Sequence, residues 1–159
     1  MRAVVWIEES TWAACVDQAR ELLPQGADVT LVHVAPIDVE ELAGGGGILG
    51  RHPAPPPERA VRTLADEEAQ EFLSAARARF ARPAQVESRR GHPERELLDA
   101  CAGADLLIVM RDGQPRPGPK SLGRQTRFVV DHASCGVVLG WPGSPPSADT
   151  VRLPPHLRG

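Results

Sequence analysis

The 159-residue chain lacks several features on which whole classes of protein depend. It contains no run of 18 apolar residues, so the sequence predicts no membrane-spanning helix. Aromatic residues make up 4% of the chain and tyrosine is absent, which argues against a platform that stacks single-stranded nucleic acid. The formal net charge is −3, so there is no general attraction to a polyanion. We therefore expect neither a membrane nor a nucleic acid as a partner.

Cysteine is also scarce. The three cysteines, Cys15, Cys101 and Cys135, are far apart in the sequence and form no Cys-x-x-Cys pair. They indicate reduced core thiols rather than a disulfide framework. Glu8 and Glu9 interrupt the first apolar stretch too early for the apolar region of a secretory signal. We therefore expect a cytoplasmic protein.

Glycine and proline are abundant instead, with 15 and 16 residues respectively. The first cluster has no usable hydrophobic period, and it predicts a flexible insertion over residues 36–57. The last cluster predicts a Pro-rich, disordered C-terminal tail over residues 143–159. A third cluster covers residues 111–123. One α/β domain over residues 1–142 remains, with the insertion inside it.

Apolar runs and helical periods alternate along this domain. Strands are predicted at Ala3–Ile7, Val29–Val34, Ala84–Arg90, Asp105–Met110 and Cys135–Trp141. A helix follows each of the first four, and the last of these helices spans Arg124–His132. Two of the strands are apolar throughout, as expected for strands that are buried on both faces. The alternation predicts a parallel sheet with helices on both sides.

The first helix has clear signals at both ends. The hydroxyl of Ser10 suits an N-cap. Pro24 and Gly26 then end the helix. Its apolar residues recur at helical spacing and predict one buried stripe, formed by Trp12, Cys15, Val16, Ala19, Leu22 and Leu23.

Two glycine-rich segments come close to the spacing of nucleotide-binding loops. Residues 45–50 fit Gly-x-Gly-x-x-Gly, but no strand ends just before them and a proline-rich stretch follows instead of a helix. Residues 113–121 resemble a Walker A loop, yet three prolines within them lack the N–H groups that would face phosphate. We interpret the first segment as a tether and reject the second as a true P-loop.

The segment from 111 to 127 nevertheless carries a local surplus of positive charge. Its single acid is Asp112, and its five cations are Arg111, Arg116, Lys120, Arg124 and Arg127. Nine residues separate Gly113 from Gly123, which stands where the last helix begins. Amide groups and the helix dipole favour an anion at that point. By chemistry alone, a solvated basic loop is an equally good interpretation.

The chain shows no catalytic signature. Gly-x-Ser-x-Gly is absent, and the neighbouring Asp131 and His132 lie at the end of the last helix, where a histidine suits a C-terminal cap. His33 in the second strand is predicted to be a packed side chain, and the other histidines have no metal-ligand spacing. We therefore expect neither an enzyme nor a metal protein.

Four stretches together resemble the universal stress protein family: AVVWIEES at 3–10, TLVHV at 30–34, GADLLIVM at 103–110 and GPKSLGRQTRFVVDHASCGVVL at 118–139. Each falls at the right place in one βα order. The resemblance implies a single-domain doubly wound sandwich, similar to adenine-nucleotide-binding proteins. Its five-stranded parallel sheet has the order 3-2-1-4-5, with two helices on each face. The chain would then reverse direction between strands 1 and 4, and ligands bind at such a switch point.

Nucleotide-binding members of this family carry Gly-x-x-Gly, then nine residues, then Gly-Ser or Gly-Thr. Gly113 and Gly123 match the second and third glycines. Met110 stands at the first glycine and Arg124 at the hydroxyl residue. Glu8 stands where the family has an aspartate. A methionine side chain could block the approach of ribose, and the arginine could replace the lost hydroxyl or fill the phosphate hole itself.

The resemblance implies ATP as the ligand of a degenerate site. Adenine would meet the backbone near Val34, while Glu8 would lie near adenine or ribose. The phosphates would meet the loop glycines and the start of the last helix. The implied site residues are Glu8, Ser10, Val34, Met110, Gly113, Gly123, Arg124 and Gln125.

Two other functions stay open. In one, the fold is a non-nucleotide-binding interaction module, and Arg124 closes the pocket together with the proline-rich loop. In the other, the chain is an enzyme such as a nucleotidyl transferase, which would need a catalytic motif that the sequence does not contain. A homodimer is expected in either leading case. An apolar edge strand of Val137, Val138 and Leu139 would otherwise be bare, and in the family this strand often pairs with its counterpart.

Overall fold

The computed structural model describes residues 1–36, 58–147, 149 and 151. The predicted insertion, apart from its first residue, lies outside these ranges, and so does most of the predicted tail. Within the described ranges, no helix has the length and apolar character needed to cross a membrane.

Five strands form one parallel sheet. They are β1 (Arg2–Trp6), β2 (Asp28–Pro36), β3 (Gln85–Gly91), β4 (Leu106–Met110) and β5 (Gly136–Gly140). The order is β3-β2-β1-β4-β5, and each neighbouring pair is parallel. The predicted fold and strand order are therefore confirmed.

Four α-helices are described, and they cover the sheet in pairs. They are α1 (Trp12–Leu22), α2 (Glu58–Phe80), α3 (Pro93–Ala100) and α4 (Arg124–His132). On one face, α1 and α2 pack on Val5 of β1 and on Ile7, which follows this strand directly. On the other face, α3 and α4 pack on Val4 and Trp6. The predicted arrangement of two helices on each face is confirmed.

The burial of β1 explains why this strand is apolar throughout. Successive side chains of a strand point to opposite faces, so a strand covered on both faces buries all of them. Ala3, Val4, Val5 and Trp6 are each at most 6% exposed. Burying a side chain of this size contributes about 1.5–3 kcal/mol. The polar strand β3 lies at one edge of the sheet, as predicted, and β5 lies at the other.

Two predictions about α1 are wrong. The helix begins at Trp12 after Thr11, and the hydroxyl of Ser10 donates to the Glu8 carboxylate at 2.6 Å instead of capping the helix. Leu22 was expected in the buried stripe but is 53% exposed, whereas Leu23 is 4% exposed. The reason is that the helix ends at Leu22 and Leu23 has an extended backbone. Its side chain therefore leaves the helical period and turns into the core.

The predicted role of His132 at the C-terminal end of α4 is confirmed. His132 Nδ1 donates to the Phe128 carbonyl oxygen at 2.8 Å, in the last turn of α4. The imidazole also stacks on the Phe128 ring, with 4.0 Å between centroids. The histidine thus adds a side-chain hydrogen bond to a carbonyl oxygen near the C-terminus of the helix.

The cysteines are free thiols, as expected. Cys15 and Cys101 are fully buried, and Cys135 is half-buried. Burial raises the pKa of Cys15 to about 12. Burial, together with the neighbouring Cys135 thiol, raises the pKa of Cys101 to about 12 as well. Because the thiolate is the reactive form, these side chains are inert core residues at neutral pH.

The adjacent leucines at the end of α1 make a matched test of this packing. Leu23→Ala should lower the free energy of unfolding by about 2–3 kcal/mol, because it leaves a cavity in the core. Leu22→Ala should change it by less than about 0.5 kcal/mol. Urea unfolding measures both. Equal losses for the two variants would contradict the extended turn at Leu23.

Candidate functional site

A cleft opens at the carboxyl edge of the sheet, and we call it the carboxyl-edge cleft. It lies beyond the ends of β1 and β2, beside the first residues of α3 and α4. Its volume is about 230 Å³. The residues that line it are Trp6, Ile7, Glu8, Glu9, His33, Val34, Pro36, Pro93 and Gln125. This is the switch point of a doubly wound sheet, where such folds bind ligands.

The lining combines apolar walls with a few polar groups. Trp6, Val34 and Pro93 are buried apolar residues, whereas Glu8 and Gln125 bring polar side chains from β1's end and from α4. This composition is typical of small-molecule sites. The volume lies below the range of about 300–1,000 Å³ that is usual for drug-sized ligands. The cleft therefore suits a flat base or a nucleoside better than a whole nucleoside triphosphate.

His33 fixes the backbone at the floor of the cleft. It is 6% exposed, and its Nδ1 donates to the Ile7 carbonyl oxygen at 2.8 Å. Its ring stacks on Phe72 of α2, with 5.9 Å between centroids. The prediction of a packed histidine is thus confirmed, and the same residue lines the cleft.

The Glu8 carboxylate is bound to the start of α1. Glu8 Oε2 accepts hydrogen bonds from the Ser10 amide at 3.1 Å, from the Ser10 hydroxyl at 2.6 Å and from the Thr11 hydroxyl at 3.1 Å. The Glu8 carbonyl oxygen also accepts from the Trp12 amide at 2.8 Å. Glu8 therefore closes the first turn of α1 while it lines the cleft.

Met110 does not obstruct the cleft. It is 4% exposed and packs with Ile108 in the core beneath α1. Its side chain also lies against Gly140 of β5, where an added Cβ would come within 2.7 Å of Met110 Cε. The predicted steric block of ribose by this side chain is not what the structure shows.

The glycine-rich segment after β4 is closed on itself, and we call residues 111–123 the 111–123 loop. The Gly113 amide donates to the Ser121 carbonyl oxygen at 3.1 Å, and the Gln114 amide donates to that of Lys120 at 2.7 Å. A Cβ on Gly113 would lie 2.3 Å from the Lys120 oxygen, so this close approach requires glycine.

Ser121 holds the loop together from inside. It is fully buried, its hydroxyl donates to the Gly118 carbonyl oxygen at 2.7 Å, and it accepts a hydrogen bond from the Arg111 guanidinium. Gly118 has a φ of 115°, a conformation that glycine allows. Arg111 also lies over the Trp141 ring, 4.7 Å from its centroid.

Gly123 precedes the first residue of α4, and its amide donates to Asp112 Oδ1 at 2.7 Å. The one acid of the basic segment therefore sits on the helix N-terminus. Arg124 is exposed and does not line the cleft. Gln125, one residue further on, does.

The structure brings together three of the eight predicted site residues, namely Glu8, Val34 and Gln125. The other five, Ser10, Met110, Gly113, Gly123 and Arg124, are not part of the lining. The residues that sequence reasoning missed are Trp6, Ile7, Glu9, His33, Pro36 and Pro93. Their position in the sequence could have indicated them, because they stand at or next to the ends of β1 and β2 or at the start of α3. Among the described side chains, no group of three or more His, Cys, Asp or Glu could hold a metal ion.

The sequence matches the model of the universal stress protein family over residues 8–139. The chain belongs to the universal stress protein family. Among curated proteins, no relative of this chain is found by sequence.

Solved structures share the fold of this universal stress protein. The hypothetical protein MJ0577 is 15% identical, with a TM-score of 0.67 over 88% of this chain and 94% of its own. A universal stress protein in complex with cAMP is 19% identical, with a TM-score of 0.55 over 90% of this chain and 98% of its own. A family member from Arabidopsis thaliana with AMP bound is 16% identical, with a TM-score of 0.55 over 94% of each chain.

The role of Glu8 at the start of α1 can be tested by a neutral replacement. Glu8→Gln should lower the free energy of unfolding by about 1 kcal/mol, because an amide is a weaker acceptor than a carboxylate. Glu9→Gln is the matched control on an exposed neighbour and should change it by less than about 0.5 kcal/mol. Both are measured by urea unfolding. A Glu8 variant as stable as the Glu9 variant would contradict the role assigned to the carboxylate.

Proposed function

We propose that this universal stress protein binds an adenine nucleotide, ATP included, with the base and ribose in the carboxyl-edge cleft. The observation that carries the proposal is the backbone of β2 at Val34, which lies beyond the last β1–β2 pair and beside apolar walls. The protein would act in a stress response by binding its ligand rather than by turning it over.

The backbone argument rests on where the ladder between β1 and β2 stops. The strands pair as far as Trp6 and Val32, and the Ile7 amide donates to the Val32 carbonyl oxygen at 2.8 Å. If the ladder continued, the Val34 amide would donate to the Ile7 carbonyl oxygen. That carbonyl accepts from His33 Nδ1 instead.

Val34 then directs a donor and an acceptor toward the cleft. Alternate residues of a strand direct their N–H and C=O groups to the same side. Because the Val32 carbonyl faces β1, the Val34 groups face the space that β1 has left. Adenine carries an amino donor next to ring nitrogen acceptors. An adjacent backbone donor and acceptor therefore suit its edge, and the walls of Trp6 and Pro93 suit its faces.

The structural relatives support the ligand class. One is a universal stress protein in complex with cAMP, and another is a plant member of the family with AMP bound. Both ligands contain adenosine and a single phosphate group. A cleft of about 230 Å³ is compatible with the part that these ligands share.

An interaction role through β5 is the second candidate. This strand pairs with β4 on one side and lies at the edge of the sheet. Its apolar residues Val137, Val138 and Leu139 are half-buried. An apolar edge favours pairing with a second copy, which is the homodimer that we propose. Light scattering at micromolar concentration tests it, and a monomer would contradict it.

Filling the cleft should weaken nucleotide binding. Gln125→Trp places a large ring at the cleft from the first turn of α4. It should weaken the binding of adenosine and AMP by at least about tenfold, or ~1.4 kcal/mol. Titration calorimetry measures the affinities.

The control for bulk and fold is Gln85→Trp, on an exposed residue at the start of β3, at the opposite end of the sheet. It should bind both ligands like the unaltered protein. If the unaltered protein binds neither adenosine nor AMP at millimolar concentration, the proposed function is wrong.

A further inference from the structure

The N-terminus of α4 already holds an anion that belongs to the chain. The Asp112 carboxylate accepts the Gly123 amide at 2.7 Å through Oδ1, and a Cβ on Gly123 would lie 2.3 Å from Oδ2. Both oxygens are therefore packed against Gly123, the residue that precedes the first residue of α4. Helix N-termini attract anions because their amides point outward and the helix dipole is positive there. An internal carboxylate occupies that position here.

The neighbouring amides of the 111–123 loop are engaged as well. Those of Gly113 and Gln114 bind the carbonyl oxygens of Ser121 and Lys120. The three prolines of the loop have no amide hydrogen to offer. Three amides that a phosphate-binding nest could use, those of Gly113, Gln114 and Gly123, are thus bonded within the chain.

The charge on Asp112 has no ion-pair partner in the part of the chain that the structure describes. The nearest cation in sequence, Arg111, is bonded to Ser121 and stacked on Trp141. A phosphate placed on the Gly123 amide would therefore have to displace the Asp112 carboxylate, whose like charge opposes it at contact distance.

The helix end that Asp112 occupies lies beside the carboxyl-edge cleft. Gln125 in the first turn of α4 lines the cleft, and Gly123 lies two residues before it. A nucleoside that directs its 5′ substituent toward α4 would therefore bring its phosphates to this helix end.

We propose that Asp112 determines ligand specificity by excluding phosphate from the N-terminus of α4. The cleft then selects the adenosine part of its ligand, and additional phosphates contribute no affinity. This inference rests on the proposed function for its ligand, while the exclusion itself concerns any polyphosphate.

Two variants separate the charge of Asp112 from its bulk. Asp112→Asn keeps the shape and can still accept the Gly123 amide, since asparagine is a good N-cap. Asp112→Ala removes both. The control is Asp131→Asn, which makes the same change in net charge on an exposed residue at the other end of α4.

Titration calorimetry with adenosine and with ATP gives the decisive ratio. The unaltered protein and Asp131→Asn should bind ATP no more tightly than adenosine. Asp112→Ala, which frees the Gly123 amide, should bind ATP about tenfold more tightly than the unaltered protein, and Asp112→Asn, which removes only the charge, should gain affinity by less than Asp112→Ala. Their affinity for adenosine should stay within about twofold. If the unaltered protein already prefers ATP about tenfold, or the Asp112 variants leave the ratio unchanged, the inference is overturned while the proposed function stands.

A second arm uses inorganic tripolyphosphate alone, with the melting temperature as readout. It should stabilise Asp112→Ala most and Asp112→Asn less, but neither the unaltered protein nor Asp131→Asn. This arm decides the role of Asp112 even when no form of the protein binds adenosine, an outcome that refutes the proposed function by itself. Equal shifts in all four proteins would overturn the inference.

Discussion

The hydrogen bond from the His33 imidazole to the Ile7 carbonyl is the interaction on which the functional end of this molecule depends. It binds the Ile7 carbonyl at the step where the β1–β2 ladder ends and the chain turns into α1, while β2 continues beside β3 to Pro36. The central strand, β1, is buried on both faces. The connections from β1 and β4 diverge beyond the ends of these strands, as in other doubly wound sheets, and leave a cleft beside the Val34 backbone.

Much of this fold could be predicted because its signals are local. The apolar runs of β1 and β4 indicated strands buried on both faces, and the alternation with helices indicated a parallel sheet. The strand order came from the family resemblance. Errors arose where two neighbouring residues compete for one role, as Ser10 and Glu8 do at the start of α1. They also arose where a helix ends one residue earlier than its period suggests, as at Leu23.

The site was predicted only in part, since it depends on contacts between distant segments. Glu8, Val34 and Gln125 were found because the family pattern marks them. Trp6 and Pro93 were missed, since nothing in their own neighbourhood shows that β1 and α3 meet. The sequence also showed one acid among five cations after β4. That Asp112 lies on the Gly123 amide follows from the closure of the loop between Gly113 and Ser121, which no local rule predicts.

The central claim is that the carboxyl-edge cleft binds a nucleoside while the 111–123 loop beside it binds no phosphate. A crystal structure of the protein grown with saturating ATP tests this claim most directly. We predict adenine against the Val34 backbone, the Asp112 carboxylate still on the Gly123 amide, and the phosphates directed into solvent. A triphosphate bound to the Gly123 amide, with Asp112 displaced, would contradict the closed loop. A cleft without nucleotide would contradict the proposal that the protein binds an adenine nucleotide.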